Sequence, residues 1–233
     1  MFKNFKVIAH LGSPLCAIDD IILDSVISAA MYKDLLKDDY YFGSNKYGTK
    51  EQIDSMLSTI LDKQYGVYCT SYGFGNDRET ISSWSKRFDV KNDDLIKFTG
   101  KAKHRVDLGA GYFKNYHIPI VLKSVKTLTF YVRGDMERIK YLLENYIFYL
   151  GKKPSQGYGE IRYWEFEEIK DNISVLNKEN KNMRNIPFNE ISDILEQNAS
   201  TSKNKSEDFT FNLKKMPVIP PYWRPDCKKV CVV

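Results

Sequence analysis

Residues 149–159 read Tyr149-Leu150-Gly151-Lys152-Lys153-Pro154-Ser155-Gln156-Gly157-Tyr158-Gly159. A stretch with helical period enters this run, and a dense set of strand-formers leaves it. Upstream, Ile139, Leu142, Leu143, Tyr146 and Leu150 recur at three- and four-residue steps, one apolar stripe of an amphipathic helix. Asp135 is placed to cap its start, Glu137 to meet the positive end of its dipole, and Gly151 to stop it in a left-handed conformation. Downstream, Glu160 to Ile169 is rich in β-branched and aromatic residues, as a strand requires. Before the helix, Thr127 to Arg133 alternates Leu128, Phe130 and Val132 with Thr129, Tyr131 and Arg133. The predicted order is strand, helix, glycine loop, strand.

The loop has the composition of an anion site. Glycine lets backbone approach a phosphate closely, and Lys152 and Lys153 supply charge. It is not a Walker loop, because no Gly-Lys-Ser/Thr closes it and it follows a helix where nucleotide loops precede one. The same residues also suit a tight helix-to-strand connection, with Gly151 as cap and Gly157 and Gly159 as turn residues. Both readings stand at this point.

Working outward, Phe5, Val7, Ala9 and Leu11 alternate with Lys6, Ile8 and His10, a first strand broken by Gly12-Ser13-Pro14. Asp19 and Asp20 then begin a helix with Ile22, Leu23, Val26, Ile27 and Ala30 on one side. Pairing this strand and helix with those of residues 127–169 gives a β-α-β…β-α-β plan, the ferredoxin-like arrangement. Between them, a helix is expected from Lys50 to Leu61. Strands are expected at Tyr65–Tyr72 and Thr80–Phe88, joined as a hairpin across Gly73-Phe74-Gly75-Asn76-Asp77. That hairpin carries Tyr72, Phe74, Arg78, Trp84, Lys86 and Arg87. It reads as a peripheral ribbon or as a basic, aromatic finger that touches a partner.

The chain has 233 residues and a formal charge of +5, which permits a polyanionic partner without requiring one. Local distribution is more informative. From Lys97 to Arg133 there are eight Lys or Arg residues and one acid, Asp107. Lys101, Lys103, His104, Arg105, Tyr112 and Lys114 interleave cations with aromatic rings, a pattern suited to neutralising phosphates and stacking unpaired bases; a solvated basic loop is the plainer reading. Cys16, Cys69, Cys227 and Cys231 lack zinc-finger spacing, and no secretory signal precedes them, so free thiols in a cytoplasmic protein are expected. No apolar run approaches the ~20 residues of a membrane span. Beyond Lys170 the composition turns to Lys and Asn, with a short helix near Asn189–Gln197, a low-complexity linker at 199–208 and a strand at Phe209–Leu213. The tail from Met216 to Pro225 is read as proline-stiffened and extended.

With these residues in view, the glycine stretch resembles that of the CRISPR-associated RAMP superfamily, RRM-like RNA-binding subunits of CRISPR effector complexes. The family loop runs Gly, hydrophobic, Gly, five variable residues, Gly, hydrophobic, Gly, between the last helix and last strand of a ferredoxin-like domain. Leu150, Gly151, the five residues Lys152 to Gln156, Gly157, Tyr158 and Gly159 fit it, while Tyr149 stands where the first glycine is expected. Ser13-Pro14 before an Asp-led helix, and Pro220-Pro221-Tyr222-Trp223 followed by Cys227, resemble the opening and the C-terminal signature of the type IV subunit at the guide-RNA 5′ end. The resemblance covers residues 1–37, 127–169 and 216–227.

What this resemblance implies is an α+β, ferredoxin-like (RRM-like) RAMP domain over residues 1–170, with an inserted β-hairpin thumb at about 62–125 and a C-terminal extension over 171–233. The implied function is a non-catalytic subunit holding the 5′ handle of the guide (CRISPR) RNA. It would contact a backbone RAMP subunit and the large subunit, and target DNA only indirectly, with no cofactor, metal or membrane. RNA contacts are expected from Lys101, Lys103, His104, Arg105, Tyr112, Lys114, Gly151, Lys152, Lys153, Ser155, Gln156, Gly157, Tyr158 and Gly159, and from Trp84, Arg87, Tyr222, Trp223 and Arg224. For Tyr222 and Trp223 the alternative is a hydrophobic plug.

Two competing functions remain. Some RAMP proteins cut guide precursors with a histidine or tyrosine base and no metal. His10, His104 and His117 are the histidines available here, and His104, between Lys103 and Arg105, is the fallback base, since adjacent cations favour its neutral form. The other competitor is a ferredoxin-like module for a nucleotide or small anion, against which the distant basic strip at Lys101, Lys103 and Arg105 argues.

Overall fold

The computed structural model describes residues 1–17, 20–42, 49–76, 78–89, 91, 106–179, 181–192, 213–222 and 224–232. In chain order these form β1 (Lys3–Leu11), β2 (Leu15–Cys16), α1 (Leu23–Leu36), the single turn α2 (Asp39–Phe42) and α3 (Lys50–Ser58). The two-residue strands β3 (Lys63–Gln64) and β4 (Val67–Tyr68) precede a long ribbon of β5 (Arg78–Lys86) and β6 (Tyr116–Ser124). Next come β7 (Thr127–Gly134), α4 (Met136–Tyr146) and β8 (Ile161–Glu168). β9 (Ile186–Pro187), β10 (Leu213–Pro217) and β11 (Lys228–Val232) close the chain.

β1 sits at the centre of an antiparallel sheet of order β7-β1-β8. Its inward residues Phe5, Val7 and Ala9 are fully buried, with Leu128, Phe130 and Val132 of β7 and Trp164 of β8 in the same core. Residues 70–74 run along the free side of β7. Ser71 N donates to Tyr131 O at 2.9 Å, and Phe74 and Thr129 exchange backbone bonds of 2.9 and 2.8 Å. The spatial order is thus residues 70–74, β7, β1, β8. Leu23, Ile27 and Ala30 of α1 and Ile139, Leu142 and Leu143 of α4 complete the core on one face. Each fully buried Leu, Ile or Phe contributes about 1.5–3 kcal/mol. This α+β arrangement of small antiparallel sheets with helices on one face is compatible with a ferredoxin-like plan.

Local chemistry accounts for the helix starts. Asp135 caps α4 by accepting from Arg138 N at 3.1 Å. Thr49 and Gln52 form a reciprocal capping box on α3. α1 starts at Leu23, three residues after the expected Asp20, and its N-cap Ile22 has no capping side chain. Asp24, in its first turn, is wholly buried and faces the C-terminal part of the chain.

Four expectations are corrected. The stretch 65–72 does not form a hairpin with 80–88: β4 is two residues long, and β5 pairs along its whole length with β6, from Arg78↔Ser124 to Lys86↔Tyr116. Gly73 and Gly75 look like turn residues in the sequence, but they are close-approach glycines in an extended run against β7. A Cβ at Gly73 would stand 2.8 Å from the Phe130 ring, and one at Gly75 2.5 Å from Thr127 O. Second, α4 ends at Tyr146, well before Gly151, because Ile147–Tyr149 turn extended and Tyr149 bridges Glu160. Third, α3 ends at Ser58 and not at Leu61, since Asp62 N already bonds Arg133 O at 3.1 Å.

Last, the tail is not one extended segment. Met216 and Pro217 end β10, the chain bends through 219–222, and a 3-10 turn at Pro225–Cys227 leads into β11, which pairs with both β10 and β9. The expected strand at Phe209–Leu213 shares only Leu213 with β10, and residues 209–212 lie outside the described residues. Residues 188–192 are helical, and the rest of the helix expected there and the 199–208 linker lie outside the described residues. A second core, with Val67, Cys69, Val175, Ile186, Ile191, Val218 and Cys231, seats this C-terminal sheet beside β4.

Candidate functional site

The glycine stretch is an exposed bend between Tyr149 and Glu160. Gly151, Lys153, Gly157 and Gly159 all have positive φ, and Pro154–Gln156 form one 3-10 turn between them. The glycines play different parts. A Cβ on Gly159 would lie 1.9 Å from Leu150 O, and one on Gly151 2.6 Å from Cys16 O, so both are needed for the loop to close on its own chain. Gly157 has nothing within 4 Å of that position, and only its φ of +80° calls for glycine.

The backbone amides follow the same division. Lys152 N bonds Cys16 O at 2.7 Å, Gly159 N bonds Pro14 O at 2.9 Å, and Glu160 N bonds Ser13 Oγ at 2.9 Å. Gly12-Ser13-Pro14, read in the sequence as a strand breaker, is therefore also the anchor of the glycine loop. The amides of Lys152, Gln156, Gly157 and Gly159, which a close backbone approach to phosphate would use, bond carbonyls of this chain. The exposed chemistry of the apex comes from Lys152, Ser155 and Gln156 side chains, with Lys153 and Tyr158 half-buried.

Beside the loop lies a groove of about 620 Å³ between α1, residues 147–152 and Tyr222. Ile21, Ile22, Val26, Ile147 and Leu150 give it an apolar floor, and the small side chains of Ser25 and Ala29 leave room above α1. Lys33 and Lys152 bring cations to it and Asp20 one carboxylate. Lys33 donates to Tyr146 O at 2.9 Å, and burial pulls its ammonium below the usual lysine range. Sequence reasoning missed Lys33, whose α1 face reads simply as a helix surface.

The ribbon meets the loop on its other side. Lys153 Nζ stands 3.2 Å from the centroid of the Trp84 ring, a cation–π contact between two of the predicted site residues. Tyr116 braces the same indole edge-on at 5.0 Å. Farther along, Tyr112 is 81 % exposed, with Lys86 Nζ 4.8 Å from its ring centroid, and Lys114 and Arg87 are exposed. Lys101, Lys103, His104, Arg105 and Trp223 lie outside the described residues.

Tyr222 and Arg224 are each tied to an acid of their own chain. Arg224 Nε pairs with Asp226 at 3.2 Å. The Tyr222 hydroxyl donates to Asp24 and accepts from Arg184 Nη2 at 3.0 Å, so the ring lines the groove while its polar end is tied down. Arg184 is the hub of this cluster. It is fully buried and bonds Asp24 at 3.0 Å, Tyr68 O at 2.6 Å, Thr70 Oγ1 at 3.0 Å and Val218 O at 2.7 Å. Burial opposes its charge, yet Tyr222 and Asp24 hold the guanidinium above its usual range. Burial pushes the Tyr222 phenol well up in turn. The sequence marked Tyr222 alone of this cluster, because Asp24 and Arg184 stand far from it and from each other along the chain.

The four cysteines are free and buried, and burial raises the Cys69 thiol. Among the described residues, no cluster of three His, Cys, Asp or Glu side chains could hold a metal, and no helix is long and apolar enough to cross a membrane. His10 Nε2 sits 2.8 Å from Glu165 and stacks on Tyr163, while His117 Nδ1 lies 2.6 Å from Ser85.

A family model described as CRISPR type IV associated protein Csf3 matches residues 83–231, from within β5 through the glycine loop to β11. The chain belongs to this family of RAMP-like subunits of type IV CRISPR complexes, and so works beside other subunits of such a complex. No curated protein matches the chain.

Proposed function

We propose that this chain is a non-catalytic guide-RNA-binding subunit that holds the 5′ handle of the guide, with a ferredoxin-like RAMP body as its platform. The observation that carries this reading is the loop apex. Lys152 stands exposed at the rim of an apolar groove, Lys153 rests on Trp84 of the ribbon, and no carboxylate pairs with either lysine among the described residues. Cations beside aromatic faces are what a single strand requires: phosphates lose charge repulsion, and bases find flat apolar partners. Lys152 lines the groove and Lys153 reaches Trp84, so the loop touches both groove and ribbon, and the basic stretch at 97–105 falls between the two ribbon strands in sequence. Contacts to a backbone subunit and a large subunit belong to this reading.

The test is RNA retention. Lys152→Glu together with Lys153→Glu is expected to lower the RNA that copurifies with the assembled complex, read as the ratio of absorbance at nucleic-acid and protein wavelengths. Unchanged retention overturns the reading. Binding without cutting is tested separately, by incubating the pure protein with precursor RNA in EDTA and using His104→Ala as control. Cleavage that His104→Ala abolishes would make the chain a processing endoribonuclease instead.

A further inference from the structure

Lys153 combines two features that rarely meet in one residue. Its backbone is left-handed, at φ 63° and ψ 42°, although it carries a long side chain and glycine would fit there without strain. Its ammonium lies 3.2 Å from the Trp84 ring centroid, across the gap between the glycine loop and the ribbon. A glycine would bend the chain equally well and would leave that ring open. The observed residue bends the chain and covers the ring.

We propose that Lys153 and Trp84 form a clasp that RNA opens by exchange, an inference that rests on the RNA-binding reading above. Without a strand, the ammonium covers the indole, shielding an aromatic face that is half exposed on the ribbon. When a strand enters, a phosphate takes the ammonium, because a charge-assisted hydrogen bond to an anion is stronger than a partly hydrated cation–π contact. The vacated indole face then takes an unpaired base, for which an aromatic surface is a sequence-tolerant partner. Tyr116 holds the indole in place during the exchange, since it contacts the ring edge-on from within the ribbon at 61°. Both partners of the clasp thus become RNA contacts, and no new side chain has to be recruited.

Lys152 differs from its neighbour in each respect. Its amide is fixed to Cys16 O at 2.7 Å and its side chain lines the groove. The two adjacent lysines therefore have separate tasks: Lys152 is a standing cation, and Lys153 is one that moves.

Tryptophan emission of the full-length protein tests the clasp, first alone and then with a short RNA of randomised sequence. In the free protein, Lys153→Gly keeps the bend and removes the ammonium, so its emission should differ from wild type. Lys153→Arg should restore the wild-type signal, and in a Trp84→Phe background the Lys153→Gly difference should vanish. RNA should change the emission of the wild type but much less that of Trp84→Phe. Trp84→Ala should weaken RNA binding by roughly tenfold, in line with the loss of one stacked base. An unchanged thermal midpoint of Trp84→Ala would exclude a merely structural effect.

Identical emission of wild type and Lys153→Gly without RNA would show that the ammonium does not rest on the ring, and would end the clasp. RNA binding that Lys152→Glu with Lys153→Glu abolishes, but that leaves Trp84 emission unmoved, would end the exchange while leaving the RNA-binding reading intact. A wild-type protein that binds no RNA, alone or in its complex, would remove both.

Discussion

Arg184 and Lys152 are both cations, and the fold uses them in opposite ways. Arg184 is fully buried and donates to the Asp24 carboxylate, three other parts of the backbone and side chains, and the Tyr222 hydroxyl. Lys152 stands exposed at the edge of a groove, with no carboxylate paired to it among the described residues. The outer face of the main sheet lies between these extremes. There Lys6 pairs with Glu167 at 3.0 Å, His10 with Glu165 at 2.8 Å and Arg133 with Asp62 at 2.6 Å. These sheet-face cations are met by acids of the same chain, as is Lys123 of the ribbon, whereas Lys152 and Lys153 have no carboxylate partner among the described residues. Net charge alone, a modest +5, conceals this division.

Substitutions can break or sharpen the contrast. The largest loss is expected from Arg184→Ala, which strands Asp24 in the core and should cost about 3–5 kcal/mol in denaturant unfolding. Replacing both charges, Asp24→Leu with Arg184→Met, should recover part of that loss; a double variant as weak as the single one would mean the charges are not coupled. Next comes the loop's own inward side. Gly159→Ala drives a methyl onto Leu150 O and should cost about 2–3 kcal/mol, against about 1–2 for Gly157→Ala, where only the left-handed backbone objects.

An effect of similar size concerns the contact between α1 and α4, where Asp34 accepts from the Tyr146 hydroxyl at 2.6 Å and pairs with Arg138. The Tyr146 bond first, and Arg138 second, hold the Asp34 carboxyl below its usual range. Its stabilisation is therefore present above the unfolded value near pH ~3.9 and is lost as pH falls through the lower folded value. Asp34→Asn should cost about 1.5–3 kcal/mol at neutral pH, and the gap to wild type should close on acidification. A gap constant with pH would show that the carboxylate is not the stabilising form.

Lys6→Gln, on the exposed sheet face, should shift the denaturant midpoint only slightly. Smallest of all should be the stability change of the paired Lys152→Glu and Lys153→Glu variant, within about 1 kcal/mol, even as RNA retention falls. A large drop in its midpoint would move these lysines to the inward class and undo the comparison.

Much of the body could be read from the residues. β1 and β7 alternate in strict register with burial, since a period of two is a local property. Asp135 caps α4 as its side-chain chemistry requires, and Leu142 and Leu143 face inward. The ribbon could not be read so directly. Gly73 and Gly75 suit a turn as well as a strand pressed on a ring, and only Phe130 decides between them. The partner of β5 lies beyond a long intervening segment, and nothing near Trp84 points to Tyr116. At the site, Lys152, Lys153 and Trp84 stood out by composition, but the 3.2 Å contact between the last two is a tertiary fact. Arg184, a long way from Asp24 and Tyr222 in sequence, resembles any surface arginine until the fold surrounds it.

One consequence follows from the place of β1 in the sheet. The first strand of the chain is flanked by β7 and β8, which emerge from the ribosome more than a hundred residues afterwards. During synthesis its alternating apolar edge must wait without either neighbour, in a state open to chaperones or to mispairing. The glycine loop is secured to Ser13, Pro14 and Cys16 and cannot take shape until that wait is over. Nascent chains halted ahead of β8 should thus lack the bent glycine loop altogether, so that any partner of the loop can be taken up only after translation has passed it.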